Sequence, residues 1–513
     1  MVVTPNSRIR LLKCHIEMDN ENQLTFANLT AQTNYFLGLT YLEEDNCTYV
    51  RKDGVIRFET DPNGITYEDL LRYNYVMYQN TSYENKWFYA FITKIKYDND
   101  GMTEISIETD TFQTWQFNIV YKRTFVEREH VINDTLGLHT IPEGLELGDY
   151  VINAHLRDSH LRDPKIVIAS TVTPSEGTSL IGAIYDGIYS GIRYYTYDAA
   201  TVTTNLQYLA NNSKIDAVTC LFLAPDFLIP QTGGGAVNES SSYKTYDLGV
   251  SPIATLNNYT PVNQKMLTYP YCYILASNGQ GASAVYYQEL FTAKNTSNEY
   301  VFRVKGSLTP GCSIRMYPVN YKGSEDNIDE GITLGKYPQL NWATDMFTNW
   351  VTQNGVNVAT NLVGNTALTV GSAMTGNVAG GITGISGVAN ALNEVYKATL
   401  IPPQSYGNIN SGDIMTSAQE NTFHVYRMTI KQEYAKIIDH FFSMYGYKVN
   451  DVKLPNITGR TNWNFVKTIN CNIEGEIPQE DIQKIKEIFN NGVTLWHNPS
   501  TFLDYSQSNT IVS

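Results

Sequence analysis

The chain has 513 residues, and its 36 Lys and Arg against 51 Asp and Glu leave a formal charge of −15; an acidic surface repels phosphates and argues against ordinary duplex DNA binding. At about 100–200 residues per domain the length implies roughly three to four domains, long enough to bury cores without a disulfide or metal staple. Only 17% of residues are charged, 42% are hydrophobic and 37 are Tyr, which excludes disorder and leans towards a β-rich assembly protein with large contacts, some of them between chains.

The first 130 residues alternate as strands do. In Trp87-Phe-Tyr-Ala-Phe-Ile-Thr-Lys-Ile-Lys-Tyr97, period two puts Trp87, Tyr89, Phe91, Ile95 and Tyr97 on one face and Lys94 and Lys96 on the other. Asp98-Asn-Asp-Gly101 then marks a turn, and residues 103–111 alternate again, predicting a hairpin. Glu68 and Asp69 suit the first turn of a short helix near 66–73. Between 150 and 340, short β-like runs at 165–170, 218–223, 271–276 and 300–304 alternate with Gly, Ser, Asn and Pro clusters, and Gln231-Thr-Gly-Gly-Gly-Ala reads as a flexible loop.

The next segment differs in kind. Residues 346–393 are 48 positions with no Asp, Glu, Lys, Arg or His. The segment carries regular apolar residues (Trp350, Val351, Val356, Val358, Leu362, Val363, Leu368), continuing with Val370, Met374, Val378, Ile382, Ile385, Val388 and Leu392. These are the candidate membrane-active positions. Small residues recur four apart at Ala367 and Gly371, then at Gly376, Gly380 and Gly384, a spacing that lets helices approach closely in lipid. The competing reading is a structural insertion or flexible linker, although linkers are usually richer in Ser, Pro or charge.

Beyond it, 429–445 reads as an amphipathic helix with Tyr434, Ile437, Ile438, Phe441 and Phe442 as its stripe and Gly446 as its stop. Residues 464–473 read as one strand. Pro478, Glu480 and Asp481 open a helix that Asn491-Gly492 ends, and 493–497 closes as a strand. Trp115 and Trp496 are expected as core anchors.

No catalytic constellation stands out, and no cofactor is implied. The six cysteines are scattered and read as free buried thiols. There is no HExxH, P-loop or GxSxG pattern. His155 and His160, five apart, miss the spacing of two ligands on one helix face and read as surface histidines in a loop. Asn278-Gly-Gln-Gly-Ala is a turn-like glycine pair. Glu146 with Asp149 is one of many carboxylate pairs that could serve glycoside hydrolysis. Glu127-Arg-Glu-His130 reads as salt bridges at an interface or strand edge rather than as catalysis. Residues 1–12 lack the apolar run of a secretory signal, and no stretch reaches the roughly 18 continuous apolar residues of a spanning helix.

Several runs in order resemble the distal tail tube, or tail knob, proteins of short-tailed bacteriophages of the picovirus type. They are Tyr73-Asn-Tyr-Val-Met-Tyr-Gln-Asn80, Asn85-Lys-Trp-Phe-Tyr-Ala-Phe91, Gln113-Thr-Trp-Gln-Phe-Asn118, Phe125-Val-Glu-Arg-Glu-His-Val131 and Ile141-Pro-Glu-Gly-Leu145. Met266-Leu-Thr-Tyr-Pro-Tyr-Cys272, Gly306-Ser-Leu308, Tyr445-Gly-Tyr-Lys-Val-Asn450, Pro455-Asn456 and Ile488-Phe-Asn-Asn-Gly-Val-Thr-Leu-Trp-His497 follow. The stretch 150–260 carries no clear match.

The resemblance implies a structural virion protein, not an enzyme: a homohexameric tube at the tail tip, closed by one hydrophobic loop per subunit. Those loops would insert into the host cytoplasmic membrane while viral DNA passes through the lumen without specific binding. Its other partners would be proximal tail tube or collar proteins. The expected fold is mainly β (β-rich α+β) and multi-domain. The expected parts are an N-terminal tube-wall block (1–150), an inserted, mostly β knob domain (151–340), the uncharged hydrophobic loop (341–400) and a C-terminal α+β block that completes the tube (401–513). The alternatives are a receptor-binding adhesin whose tyrosine-rich loops recognise host cell-wall carbohydrate, and a wall-degrading enzyme using paired carboxylates.

Overall fold

The computed structural model describes residues 7–341 and 422–511, apart from 48–49, 61–63, 162–163, 173–180, 186–187, most of 198–216, 229–243, 280, 310–311 and 335–338. The chain divides into two compact units: 1–146, 261–266 and 433–513 form the first, and 147–260 with 267–432 form the second.

The first unit begins with β1 (Ser7–Leu12), β2 (Asn22–Leu24), α1 (Leu29–Leu37), β3 (Tyr41–Cys47), β4 (Val55–Glu59), α2 (Tyr67–Leu70), β5 (Tyr75–Asn80), β6 (Trp87–Asn99), β7 (Met102–Thr109), α3 (Thr111–Trp115), β8 (Val120–Tyr121) and β9 (Thr124–Glu129). Six of these strands make an antiparallel sheet in the order β3-β1-β5-β6-β7-β4. Both faces are covered at the central strand β5, which is almost continuously buried, whereas β4 at the edge alternates buried and exposed. Val76 and Tyr78 pack with Ile9, Ile56 and Ile105 on one face; Tyr75 and Met77 pack with Phe36, Phe91 and Trp496 on the other. The expected hairpin is β6–β7, with Asn99 opposite Met102. The short helix is α2, where Thr66 and Asp69 form a reciprocal capping box.

The expected single face of β6 is corrected. Trp87, Tyr89 and Phe91 share one cluster, but Ile95 packs with Ala90 and Ile92 on the opposite face. The ladder shifts register between Ile92 and Lys94. That β-bulge inserts one residue and reverses the parity of every side chain after it.

In the second unit the described strands are β10 (Tyr150–Arg157), β11 (Pro164–Ser170), β12 (Ile181–Tyr185), β13 (Ile188–Tyr197), β14 (Val218–Pro225), β15 (Lys244–Val250), β16 (Cys272–Ser277), β17 (Ser283–Tyr286), β18 (Tyr300–Gly306), β19 (Ile314–Tyr321), β20 (Ser324–Asp326), β21 (Ile332–Leu334), β22 (Gln339–Asn341) and β23 (His424–Ile430). They form three sheets: β10-β23-β16-β17, β12-β13-β11-β14-β22, and β15-β18-β19-β20 with β21 also on β19. One core joins them, including Val167, Phe222, Ile274, Phe302 and Met316. The four runs expected as strands fall in β11, β14, β16 and β18, except that Tyr271 precedes β16. The loop 231–236 lies outside the described residues.

The first unit resumes with α4 (Gln432–Tyr445), β24 (Tyr447–Lys453), β25 (Asn464–Ile469), β26 (Ile473–Glu474), α5 (Gln479–Asn491) and β27 (Val493–Trp496). Its second sheet runs β2-β27-β25-β9-β24, and β26 pairs with β8. Three expectations are corrected here. Thr429 and Ile430 belong to strand β23, not to the helix, because their backbones pair with Tyr150, Val151 and Cys272. The buried face of α4 is Ala435, Ile438, Asp439 and Phe442, while Ile437 is 68% exposed. The strand expected over 464–473 breaks in two at Asn470, whose φ is +54°. Both tryptophans pack into cores, but Trp496 is fully buried and Trp115 only partly. All six cysteines are free, and Cys47 alone is not buried.

Candidate functional site

The densest polar arrangement of the first unit surrounds residues 130–146, a run without regular secondary structure apart from turns, and the six-residue segment 261–266. The Glu143 side chain is fully buried and accepts from Arg128, from Lys265, and from the backbone N–H of Lys448 at 3.0 Å. Arg128 also donates to the Gly446 carbonyl at 2.7 Å and covers the Phe441 ring at 4.8 Å. Burial pulls the Lys265 ammonium below its usual range, and Glu143 opposes that pull. Next to it, Asp439 accepts from the backbone N–H groups of Val262 (2.8 Å) and Asn263 (3.1 Å) and from the Asn263 amide. Asp134 accepts from the Tyr447 hydroxyl at 2.7 Å and from the Gln264 N–H at 3.1 Å. Arg460 donates to Asn263 at 3.0 Å. The buried Asp439 and the partly buried Asp134 thus hold segment 261–266 by its own backbone, with charge-assisted bonds that recover their desolvation.

His130 closes this region. It is fully buried, its Nδ1 accepts from the Phe465 N–H at 2.7 Å, and its Nε2 faces the Ser443 carbonyl at 3.0 Å. Those partners require the neutral Nε2–H tautomer. Burial, reinforced by Arg460 and Arg128, pulls the ring down to about 3. Gly446 ends α4 at φ +64°, where an added Cβ would stand 2.2 Å from the Glu129 carbonyl oxygen.

In the Glu127–His130 run the charged residues make ion pairs, as expected: Glu127 with Lys467 at 3.0 Å, Arg128 with Glu143 and Glu129 with Lys453. Its strand β9, however, lies inside the sheet between β24 and β25, so these are not edge contacts. In the second unit, His155 sits on strand β10 rather than in a loop. Its Nε2 is 3.0 Å from Nδ1 of His424 and its ring stacks on Tyr426 at 4.4 Å. His160 contacts Asp158 at 2.9 Å, and Asp149 pairs with Lys431 at 2.7 Å. These groups have structural partners and do not form a nucleophile–base pair. Among the described residues no group of three or more His, Cys, Asp or Glu could hold a metal ion, and no helix is long and apolar enough to cross a membrane.

The membrane-active positions from Trp350 to Leu392, and the packing positions Ala367, Gly371, Gly376, Gly380 and Gly384, lie outside the described residues. Sequence reasoning missed the Glu143, Lys265 and Asp439 network. Its one local signal is the solitary acid between Pro142 and Gly144.

Residues 231–510, more than half of the chain, match the family model described as Bacillus phage phi29, tail knob protein gp9, C-terminal domain. The chain belongs to the tail knob protein family. Residues 5–122 also match the caudoviral major tail protein N-terminus. The tail knob protein gp9 of Bacillus phage B103 is 25% identical, covering 96% of each chain. Those of Bacillus phages PZA and phi29 are also 25% identical, covering 84% and 83% of this chain and 86% and 85% of theirs. The solved bacteriophage C1 tail knob protein, gp12, superposes with a TM-score of 0.62 over 98% of each chain at 16% identity, so the two share a fold. This tail knob protein is therefore a structural component of a phage tail, not an enzyme, in agreement with the family that the ordered runs resemble.

Proposed function

We propose that six copies of this tail knob protein form a tube at the tail tip that completes the DNA conduit, and that residues 346–393 of each copy close it. On release these segments insert into the host cytoplasmic membrane and open the path for viral DNA. The observation that carries the reading is the 48-residue uncharged, apolar segment in a family of tail proteins. Charge is what lipid refuses most strongly, and small residues four apart suit helix packing inside it. An acidic wall repels phosphates and keeps passage fast. The six-stranded sheet ends in β3 and β4, and two different edges on one sheet suit a head-to-tail contact that closes into a ring. Proximal tail tube or collar proteins would bind the other end.

The test images the purified protein and measures dye leakage from liposomes, with the full chain and with residues 351–393 deleted. Six-fold rings whose leakage depends on the segment are expected. Rings without leakage would remove the membrane step, and monomers that bind host wall would replace the tube with an adhesin.

A further inference from the structure

A cleft of about 610 Å³ opens in the first unit between the 18–22 loop, the end of β7, the C-terminal half of α5 and the rings of Tyr445 and Tyr505. The polar network around Glu143 and Asp439 makes no use of it. Its volume falls within the roughly 300–1,000 Å³ of small-molecule sites.

Two aromatic faces are fixed there. Tyr445 is 37% exposed, and its ring is held 5.2 Å from Phe441 and, edge-on, 5.2 Å from Phe465. Tyr505 stands edge-on to Trp463 and Trp496, each at 5.0 Å, and its hydroxyl donates to Asn22 Oδ1 at 3.1 Å. Glu21, Tyr445 and Tyr505 line the same cleft. The exposed carboxylates Asp19, Glu21 and Glu487 share the lining with the Asn491 amide. Lys484, the cation of the lining, has its ammonium 2.9 Å from Glu108.

We propose that this cleft binds a saccharide unit that is neutral or carries an amino group. A pyranose has a face of C–H groups, which suits the electron-rich face of a held tyrosine ring. Its rim of hydroxyls donates to carboxylates in charge-assisted bonds. The net negative lining excludes phosphorylated and acidic sugars by like-charge repulsion and gives an ammonium an added attraction. The site stands on its own geometry and depends on neither the ring nor the membrane step.

The test is saturation-transfer NMR on the full-length protein with methyl β-glucoside, glucosamine and glucose 6-phosphate. Transfer to the first two and none to the phosphate is expected. Tyr445→Ala abolishes the transfer, whereas Tyr445→Phe, which keeps the ring, retains it. Glu487→Gln, a change at an exposed position, weakens glucosamine about fivefold. The proposal falls if neither uncharged nor amino sugar shows transfer at about 10 mM. It falls equally if glucose 6-phosphate binds as well as they do, or if Tyr445→Ala and Glu487→Gln leave transfer unchanged.

Discussion

The buried imidazole of His130 makes a quantitative demand on the pH dependence of stability. Its ring accepts from the Phe465 N–H and donates to the Ser443 carbonyl. Protonation would set an N–H against an N–H beside two guanidinium groups. The folded pKa is lowered to about 3 from 6.5. The stabilisation is therefore complete above pH 6.5 and is lost as pH falls towards 3. From these values linkage gives a loss of about 2 kcal/mol by pH 5 and about 3.3 kcal/mol by pH 4.

Asp110 works in the opposite direction. It is buried, caps α3 through the Gln113 N–H at 3.0 Å, and is raised by burial to about 6. Its contribution is fully present below 3.8 and is lost as pH rises through 6. Between about pH 6 and 4 these two contributions oppose each other, so the wild-type profile alone does not isolate His130. The informative quantity is the difference between wild type and His130→Gln in urea unfolding. At pH 7 the variant should be less stable by about 1–3 kcal/mol, the cost of an imperfectly paired buried group. That difference should shrink by about 2 kcal/mol at pH 5, because only the wild type has the histidine to protonate. A difference that stays constant from pH 7 to pH 5 would refute a neutral, buried His130.

Three further outcomes are expected. Gly446→Ala should lower the urea midpoint by the equivalent of about 2–5 kcal/mol, since the left-handed backbone and the clash with the Glu129 carbonyl both oppose a side chain; an unchanged midpoint would show that the α4–β24 corner is looser than described. Trp496→Ala should cost about 3–5 kcal/mol as a full core truncation, whereas Trp115→Phe, which removes the Nε1–H bond to Asp481 at 2.9 Å and shrinks the partly buried ring beneath the Lys86 ammonium, should cost about 1–3 kcal/mol; equal losses by thermal melting would contradict the difference in burial. Gly380→Glu should leave assembly intact and abolish liposome leakage, because a charge at mid-membrane costs about 2.5–3.5 kcal/mol or more per copy; full leakage in the variant would rule out insertion at that position.

Much of the local structure was legible in the sequence. The hairpin of β6 and β7, the α2 cap, the start and stop of α5 and the β-rich middle follow from alternation, capping residues and glycine, which act over a few residues. The uncharged segment and the family runs were also visible there, because composition and order need no coordinates. Other features depended on partners far away in the chain. Thr429 and Ile430 are strand because β10 and β16 supply their ladder, although the helix pattern runs through them. The bulge at Thr93 sends Ile95 to the opposite face, which strict alternation cannot foresee. Asp439 faces inward on α4, against every hydrophobic pattern, because the backbone of 262–263, some 176 residues earlier, donates to it. His130 is neutral because burial, reinforced by Arg460 and Arg128, disfavours its charge, and Phe465, 335 residues away, supplies the N–H that fixes its tautomer. Periodicity and caps are properties of neighbouring residues and can be read from order alone. Burial of a charge, and the partner that makes it tolerable, arise only when distant segments meet and water is removed from between them.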